Sequence, residues 1–246
     1  MAHIEHSESF TVRSYEVDGS GFVPISQIAN YFQEAAGKNA HDLNFDISHL
    51  QEKGATWVLF RLHIKIDQFP VRWQHVTVKT WPSSGDGIRA FRDYELVDES
   101  DKRLGIGVSQ WMVLNMKNRR PMRMPKEVLE MGLEVEEHVL PVDKDPLPQL
   151  DSRDVVTEIT VGDHDLDMNR HVNNVKYIEW MTGFCTGAIG ENLKCKEIKI
   201  QFHREASVGD KVVIVTQKGS SINQLIHQVK HQPSEKLLAE GVSWWR

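Results

Sequence analysis

Asp163-His-Asp-Leu-Asp-Met-Asn-Arg-His171-Val-Asn-Asn174, which runs directly into Val175-Lys-Tyr-Ile-Glu-Trp-Met181, is the stretch that decides how the rest of the 246-residue chain is read. Asp167, Asn169 and His171 stand two residues apart. In an extended chain that spacing puts a carboxylate, an amide and an imidazole on one face. The apolar residues that follow, Val175, Ile178, Met181 and Cys185 with Thr182, recur at helical spacing. Asn173 or Asn174 is placed to cap that helix. Polar groups that can orient and activate water thus converge just before a helix N-terminus, where backbone N–H groups of Asn173, Asn174 and Val175 can polarise a carbonyl.

The same order of features occurs earlier in the chain. Tyr15-Glu-Val-Asp-Gly-Ser-Gly-Phe-Val23 aligns with His164-Asp-Leu-Asp-Met-Asn-Arg-His-Val172, and each leads into a helix-like stretch, Ile25–Ala36 and Asn174–Cys185. Leu62–Ile66 then matches Ile198–Phe202, Val76–Val78 matches Val212–Ile214, and Gly107-Val-Ser-Gln-Trp111 matches Gly241-Val-Ser-Trp-Trp245. Repetition in one order at nearly constant offset indicates a duplicated unit. Each unit reads as an early strand, a loop, one helix and several strands, an α+β architecture. In the first, Val58, Phe60, Leu62, Ile64 and Ile66 alternate with Leu59, Arg61, His63 and Lys65, the period of a strand with one apolar face. Val76–Trp81, Ile88–Val97 and Leu104–Met116 supply further strands. Pro82–Gly87 and Asp98–Lys102 read as turns. The acidic, proline-containing segment from Met131 to Pro148 reads as a linker, giving units 1–130 and 151–246 joined by 131–150.

Residues 165–180, Asp-Leu-Asp-Met-Asn-Arg-His-Val-Asn-Asn-Val-Lys-Tyr-Ile-Glu-Trp, resemble the signature of the acyl-acyl-carrier-protein thioesterases. Arg61–Ile66, the Trp-containing late strands and Phe202-His-Arg-Glu205 fall where that family places them. The resemblance implies a tandem hotdog fold, each unit a long helix wrapped by an antiparallel sheet. It also implies hydrolysis of the thioester between a fatty acyl chain and acyl carrier protein. On the same basis Asp167, Asn169, His171 and Glu205 form the active-site set, with no cofactor or metal. Plant members often carry cysteine directly after the glutamate; here Ala206 stands there, which favours attack by water over an acyl-cysteine intermediate. The absence of a plastid-targeting extension makes the chain similar to the bacterial branch.

In the aligned first copy Ser20 stands opposite Asn169, Phe22 opposite His171 and Phe69 opposite Glu205, so only the aspartate survives, as Asp18. This predicts that the second unit carries the chemistry and the first shapes the acyl pocket. An acyl-coenzyme A thioesterase, a non-catalytic acyl-binding protein and a dehydratase are the competing readings.

The remaining features bound the function. A net charge of −6 argues against a general nucleic-acid binder. No apolar run approaches the ~20 residues of a membrane span. Two cysteines make no disulfide framework and, with no visible signal peptide, predict a reducing cytoplasm. Asp163-x-Asp165-x-Asp167 opens like a calcium loop, but Met168 and Asn174 occupy the positions that need Gly and Glu. Cys185 reads as core; Cys195, flanked by Lys194 and Lys196, reads as a surface thiol or one of lowered pKa. Arg119, Arg120, Arg123 and Lys126, with Lys194, Lys196 and Lys199 as a second patch, are candidates for docking an acidic carrier protein. A monomer and a homodimer both fit the sequence.

Overall fold

The computed structural model describes residues 4–131, 137–142, 145–189 and 193–246. The chain divides into two compact units, Met1–Asp143 and Lys144–Arg246. The first holds β1 (His6–Thr11), α1 (Ile25–Asp42), α2 (Ile47–Glu52), β2 (Ala55–Ile66), β3 (His75–Gly85), β4 (Arg89–Asp98), β5 (Arg103–Asn115) and α3 (Lys126–Met131). The second holds β6 (Val155–Thr160), α4 (Asn174–Gly183), α5 (Thr186–Ile189), β7 (Cys195–Phe202), β8 (Lys211–Lys218), β9 (Gln224–His231) and β10 (Lys236–Trp245).

In the first unit the strands run antiparallel in the order β1-β3-β4-β5-β2. In the second the order is β7-β10-β9-β8-β6. Each sheet packs on its helix. In α1, Ile25, Ile28, Ala29, Phe32, Ala35 and Ala36 are buried at helical spacing, and Phe32 stacks on Tyr94 of β4 at 4.7 Å. Close approach of helix to sheet depends on a glycine in each last strand. A Cβ at Gly107 would lie 2.6 Å from the Phe32 ring, and one at Gly241 3.0 Å from Met181 Sδ.

A buried polar seam recurs with them. Trp111 Nε1 donates to Ser109 Oγ, and Trp245 Nε1 to Ser243 Oγ, each at 2.7 Å. The serine then meets Tyr94 Oη at 3.0 Å in the first unit and His227 Nε2 at 2.7 Å in the second. His227 also meets Thr216 Oγ1 at 2.9 Å. Its burial pushes the imidazole down to about 3, so the ring is neutral.

Four details depart from the sequence reading. In β2 the alternation changes phase at a bulge: Leu59 pairs with Trp111 and Arg61 with Gln110, leaving Phe60 as the extra residue. Leu59 joins the buried face, whereas Val58 and Phe60 are half-buried. β3 continues through Pro82 to Gly85 instead of turning. β1 begins opposite Thr80, so among the described residues Pro82 has no strand partner on that side and costs no ladder bond there. The second helix stops at Gly183, and α5 follows after a break. Finally, residues 137–142, within the segment read as linker, pack on the first unit. Leu140 is buried with Ile106 and Val108, flanked by Val139 and Val142. The buried Asp93 carboxylate accepts from Val139 N at 3.0 Å and lies 2.8 Å from His138 Nδ1. Residues 132–136 and 143–144 of that segment lie outside the described residues.

Candidate active site

Residues 166–172 form a tight loop, not the extended run that the alternation predicts. A single 3-10 turn, Asp163–Asp165, leads in. Leu166 and Val172 then bridge, Asp167 N donates to His171 O at 2.8 Å, and Arg170 N to Asp167 O at 3.0 Å. The Asp167 carboxylate closes the loop by accepting from Asn169 N at 2.8 Å and His171 N at 3.3 Å. An aspartate bonding its own following amides offers the backbone an alternative to extension. Arg170 is left-handed, with φ 62°.

The loop delivers His171 toward the segment after β7. His171 Nε2 lies 3.5 Å from Glu205 Oε2, both side chains a little over one third exposed. Val172 N donates to Ala206 O at 3.1 Å, which fixes the two segments against each other. The structure therefore brings His171 and Glu205 together. Asn169 stays exposed at the tip of the loop, and its side chain makes no hydrogen bond among the described residues.

At the start of α4 the cap is Asn173, whose Oδ1 accepts from Val175 N at 3.1 Å. Asn173 N donates to Asp165 O at 2.9 Å. Of the three amides singled out at this helix end, those of Asn173 and Val175 are thus engaged, and that of Asn174 has no partner among the described residues.

Sequence reading missed the clamp beneath this loop. Asp165 is buried; its Oδ2 accepts from Gly162 N at 2.9 Å, and Lys176 Nζ lies 3.9 Å from its Oδ1 and 2.8 Å from Glu179 Oε2. The signal was in the repeat. At the matching positions Gln27 Nε2 donates to the buried Glu16 at 3.1 Å, and Asn30 Nδ2 donates to Gln27 at 3.0 Å. Tyr177, also overlooked, is buried edge-on to Phe202 at 5.8 Å. Burial, with the Glu205 charge nearby, raises its phenol above the ordinary range.

The other candidates are divided between the two units. Arg119, Arg120, Arg123 and Lys126 are exposed in the first unit, Arg119 at φ 57° and Lys126 paired with Glu130 at 2.8 Å. Lys194, Lys196 and Lys199 are half-buried in the second, where Lys194 N and O pair with Arg246. Cys195 is neither exposed nor acidified: it is buried, its thiol donates to Glu197 O at 3.4 Å, and burial raises its pKa. Cys185 is core, as its helical stripe predicts, and burial pushes its thiol up to about 12.

The model of the acyl-ACP thioesterase N-terminal domain matches residues 3–131, and that of the C-terminal domain matches residues 149–246. The chain belongs to the acyl-ACP thioesterase family. Oleoyl-acyl carrier protein thioesterase 1 of Arabidopsis thaliana is 25% identical over 99% of this chain and 76% of its own length. An Arabidopsis palmitoyl-acyl carrier protein thioesterase is 28% identical over 80% of this chain. The chain covers about half of that relative's length, 51%. In fold it is similar to an acyl-ACP thioesterase from Bacteroides thetaiotaomicron, with a TM-score of 0.88, 24% identity and 98% of each chain covered. The 12:0-ACP thioesterase from Umbellularia californica gives 0.87 at 22% identity, covering all of this chain and 98% of the other. The fold is accordingly that of the hotdog-type thioesterases. Among the described residues, no helix is long and apolar enough to cross a membrane.

Proposed function

We propose that this chain hydrolyses the fatty acyl thioester of acyl carrier protein, releasing free fatty acid and the carrier's thiol. The observation that carries the reading is the approach of His171 to Glu205, at 3.5 Å, beside the N-terminus of α4. Glu205, alone or through His171, takes a proton from water as its oxygen attacks the acyl carbon. The C–O bond forms, the C–S bond breaks, and the departing sulfur receives the proton. The Asn174 amide, at the positive end of the helix, is the donor left to the developing oxyanion. Asn169 holds the water or the carbonyl, and Asp167 fixes the loop that carries Asn169 and His171. In this scheme the first unit, with Ser20, Phe22 and Phe69 at the matching positions, serves acyl binding instead of chemistry. Basic side chains draw the acidic carrier in, Arg119, Arg120, Arg123 and Lys126 among them exposed, so its association slows as salt screens them. The protein works as a monomer or homodimer in the cytoplasm.

The test is thiol release from C8 to C18 acyl thioesters of carrier protein and of coenzyme A, wild type beside His171→Ala. Carrier-dependent turnover that the substitution abolishes is the expected result. Faster hydrolysis of the coenzyme A esters replaces the carrier in the reading, and no hydrolysis with acyl ligand still bound replaces the enzyme with a binding protein.

A further inference from the structure

Each unit enters its loop through the same β-bulge, built in one case from the wrong residue. In the second unit Gly209 N donates to Val161 O, Val161 N to Asp210 O, and Asp210 N to Ser207 O. Two residues, Gly209 and Asp210, thus oppose one, and the first is a left-handed glycine at φ 84°. That is the bulge type in which glycine is the normal first residue. In the first unit Trp73 N donates to Val12 O, Val12 N to Gln74 O, and Gln74 N to Val71 O. The residue in glycine's place is Trp73, at φ 68°.

A bulky residue held left-handed is an outlier that the surroundings must sustain. Burial does not account for it, because Trp73 is 61% exposed. Its neighbours have the same character. Val71 is 43% and Tyr15 76% exposed, the Arg72 guanidinium lies 5.7 Å from the Trp73 ring centroid, and that of Arg13 lies 6.0 Å from Tyr15. Arg72 makes no ion pair among the described residues, whereas Arg13 lies 3.6 Å from the buried Glu16. Because Val12 is bonded to Trp73 and Gln74, the main chain carrying Arg13 runs beside that carrying Arg72. Trp, Tyr, Arg and Val side chains thus stand exposed on two hydrogen-bonded segments of a chain whose net charge is −6.

We propose that the Arg13–Tyr15 and Val71–Trp73 surface is a docking site for the acidic face of the carrier protein that delivers the acyl chain. The assignment rests on the thioesterase reading above. Trp, Tyr and Arg are the residue types that concentrate binding energy at protein interfaces. An unpaired arginine beside an exposed ring attracts a carboxylate and packs against the apolar surface around it. A membrane surface fits less well, since it takes a long amphipathic face, and this patch is one bulge and one turn. The main-chain bonds that hold the bulge also pre-order the patch, so docking orders little further backbone.

Binding of holo-acyl carrier protein is measured at low salt for wild type, Trp73→Gly, Arg72→Glu and the control Ile222→Ser, which alters an exposed apolar residue of the second unit. Trp73→Gly installs the residue that the other unit carries, so its melting temperature is expected to hold or rise. Both patch variants are expected to weaken carrier binding about tenfold, Arg72→Glu losing its effect at high salt, with Ile222→Ser like wild type. Equal affinity across the set overturns the proposal, as does a wild type that binds no carrier. Trp73-dependent binding to phosphatidylglycerol vesicles with carrier binding unchanged overturns it in favour of a membrane. Wild-type hydrolysis of an acyl-N-acetylcysteamine thioester, which has no carrier, is run alongside. Its absence, together with no turnover of acyl carrier protein, defeats the thioesterase reading, while the binding series still reports on the patch.

Discussion

The loops Asp18–Phe22 and Asp167–His171 are the same object with and without chemistry. In each the aspartate N–H bonds the carbonyl four residues on, Asp18 to Phe22 at 2.8 Å and Asp167 to His171 at 2.8 Å. In each the carboxylate accepts the amides two and four residues ahead. In each the fourth residue is left-handed, Gly21 at 82° and Arg170 at 62°. Val23 N bonds Pro70 O as Val172 N bonds Ala206 O, so Phe69 and Glu205 precede equivalent carbonyls. What differs is what the scaffold presents: Ser20, Phe22 and Phe69 in one, Asn169, His171 and Glu205 in the other. The helix start differs as well, with Pro24 where the second unit has the capping Asn173. The aspartate is therefore a folding device in both loops, and shared geometry does not by itself make a site.

The sharpest way to break the comparison is to remove the presented groups. His171→Ala or Glu205→Ala is expected to lower kcat by about 10²–10⁴-fold, while Ser20→Ala leaves it near wild type in the same thiol-release assay. Comparable losses at Ser20 and His171 remove the asymmetry between the units.

Acid separates the two seams next. His227 is buried neutral in the second unit, where the first has Tyr94. The unfolded chain protonates this imidazole below its ordinary value of about 6.5, and the folded chain only near 3. The stability it contributes is thus complete above about pH 6.5. It falls as pH drops toward 3, by up to about 1.4 kcal/mol per pH unit. Urea midpoints for wild type and His227→Gln between pH 7 and pH 5 test this. The variant starts less stable and shows the shallower acid loss.

Smaller, and the best probe of the shared scaffold, is the pair Asp18→Ala and Asp167→Ala. Each removes an exposed or half-buried acceptor of two backbone amides and is expected to cost about 1–2 kcal/mol, read as a lower melting temperature. Only Asp167→Ala is expected to cost turnover as well. If Asp18→Ala lowers kcat equally, the first loop has a part in the reaction.

The likeness of the halves was legible because the repeated residues answer to backbone geometry: an aspartate that closes a loop, a glycine that admits a helix, a serine that receives an indole N–H. The pairing of Phe69 with Glu205 followed from that register. Hidden features depended on single added residues and on long-range partners. Period-two spacing put Asp167, Asn169 and His171 on one extended face, because periodicity does not reveal that the aspartate bends the chain back on itself. One extra residue, Phe60, inverted the apparent face of the start of β2. The acidic segment around His138 looked like solvated linker because its anchor, Asp93, is 45 residues away in sequence. The exposed Trp73 was overlooked because a bulge position is invisible until its partner strand is known.

Both thiols of the chain lie in the second unit, Cys185 donating to Met181 O and Cys195 to Glu197 O. Neither is reachable while that unit is closed. An alkylating reagent added to the native protein therefore works as a clock, set by how often one half opens and silent about the other. The rate at which label accumulates, with and without acyl substrate, measures how firmly the bound substrate holds the second unit shut.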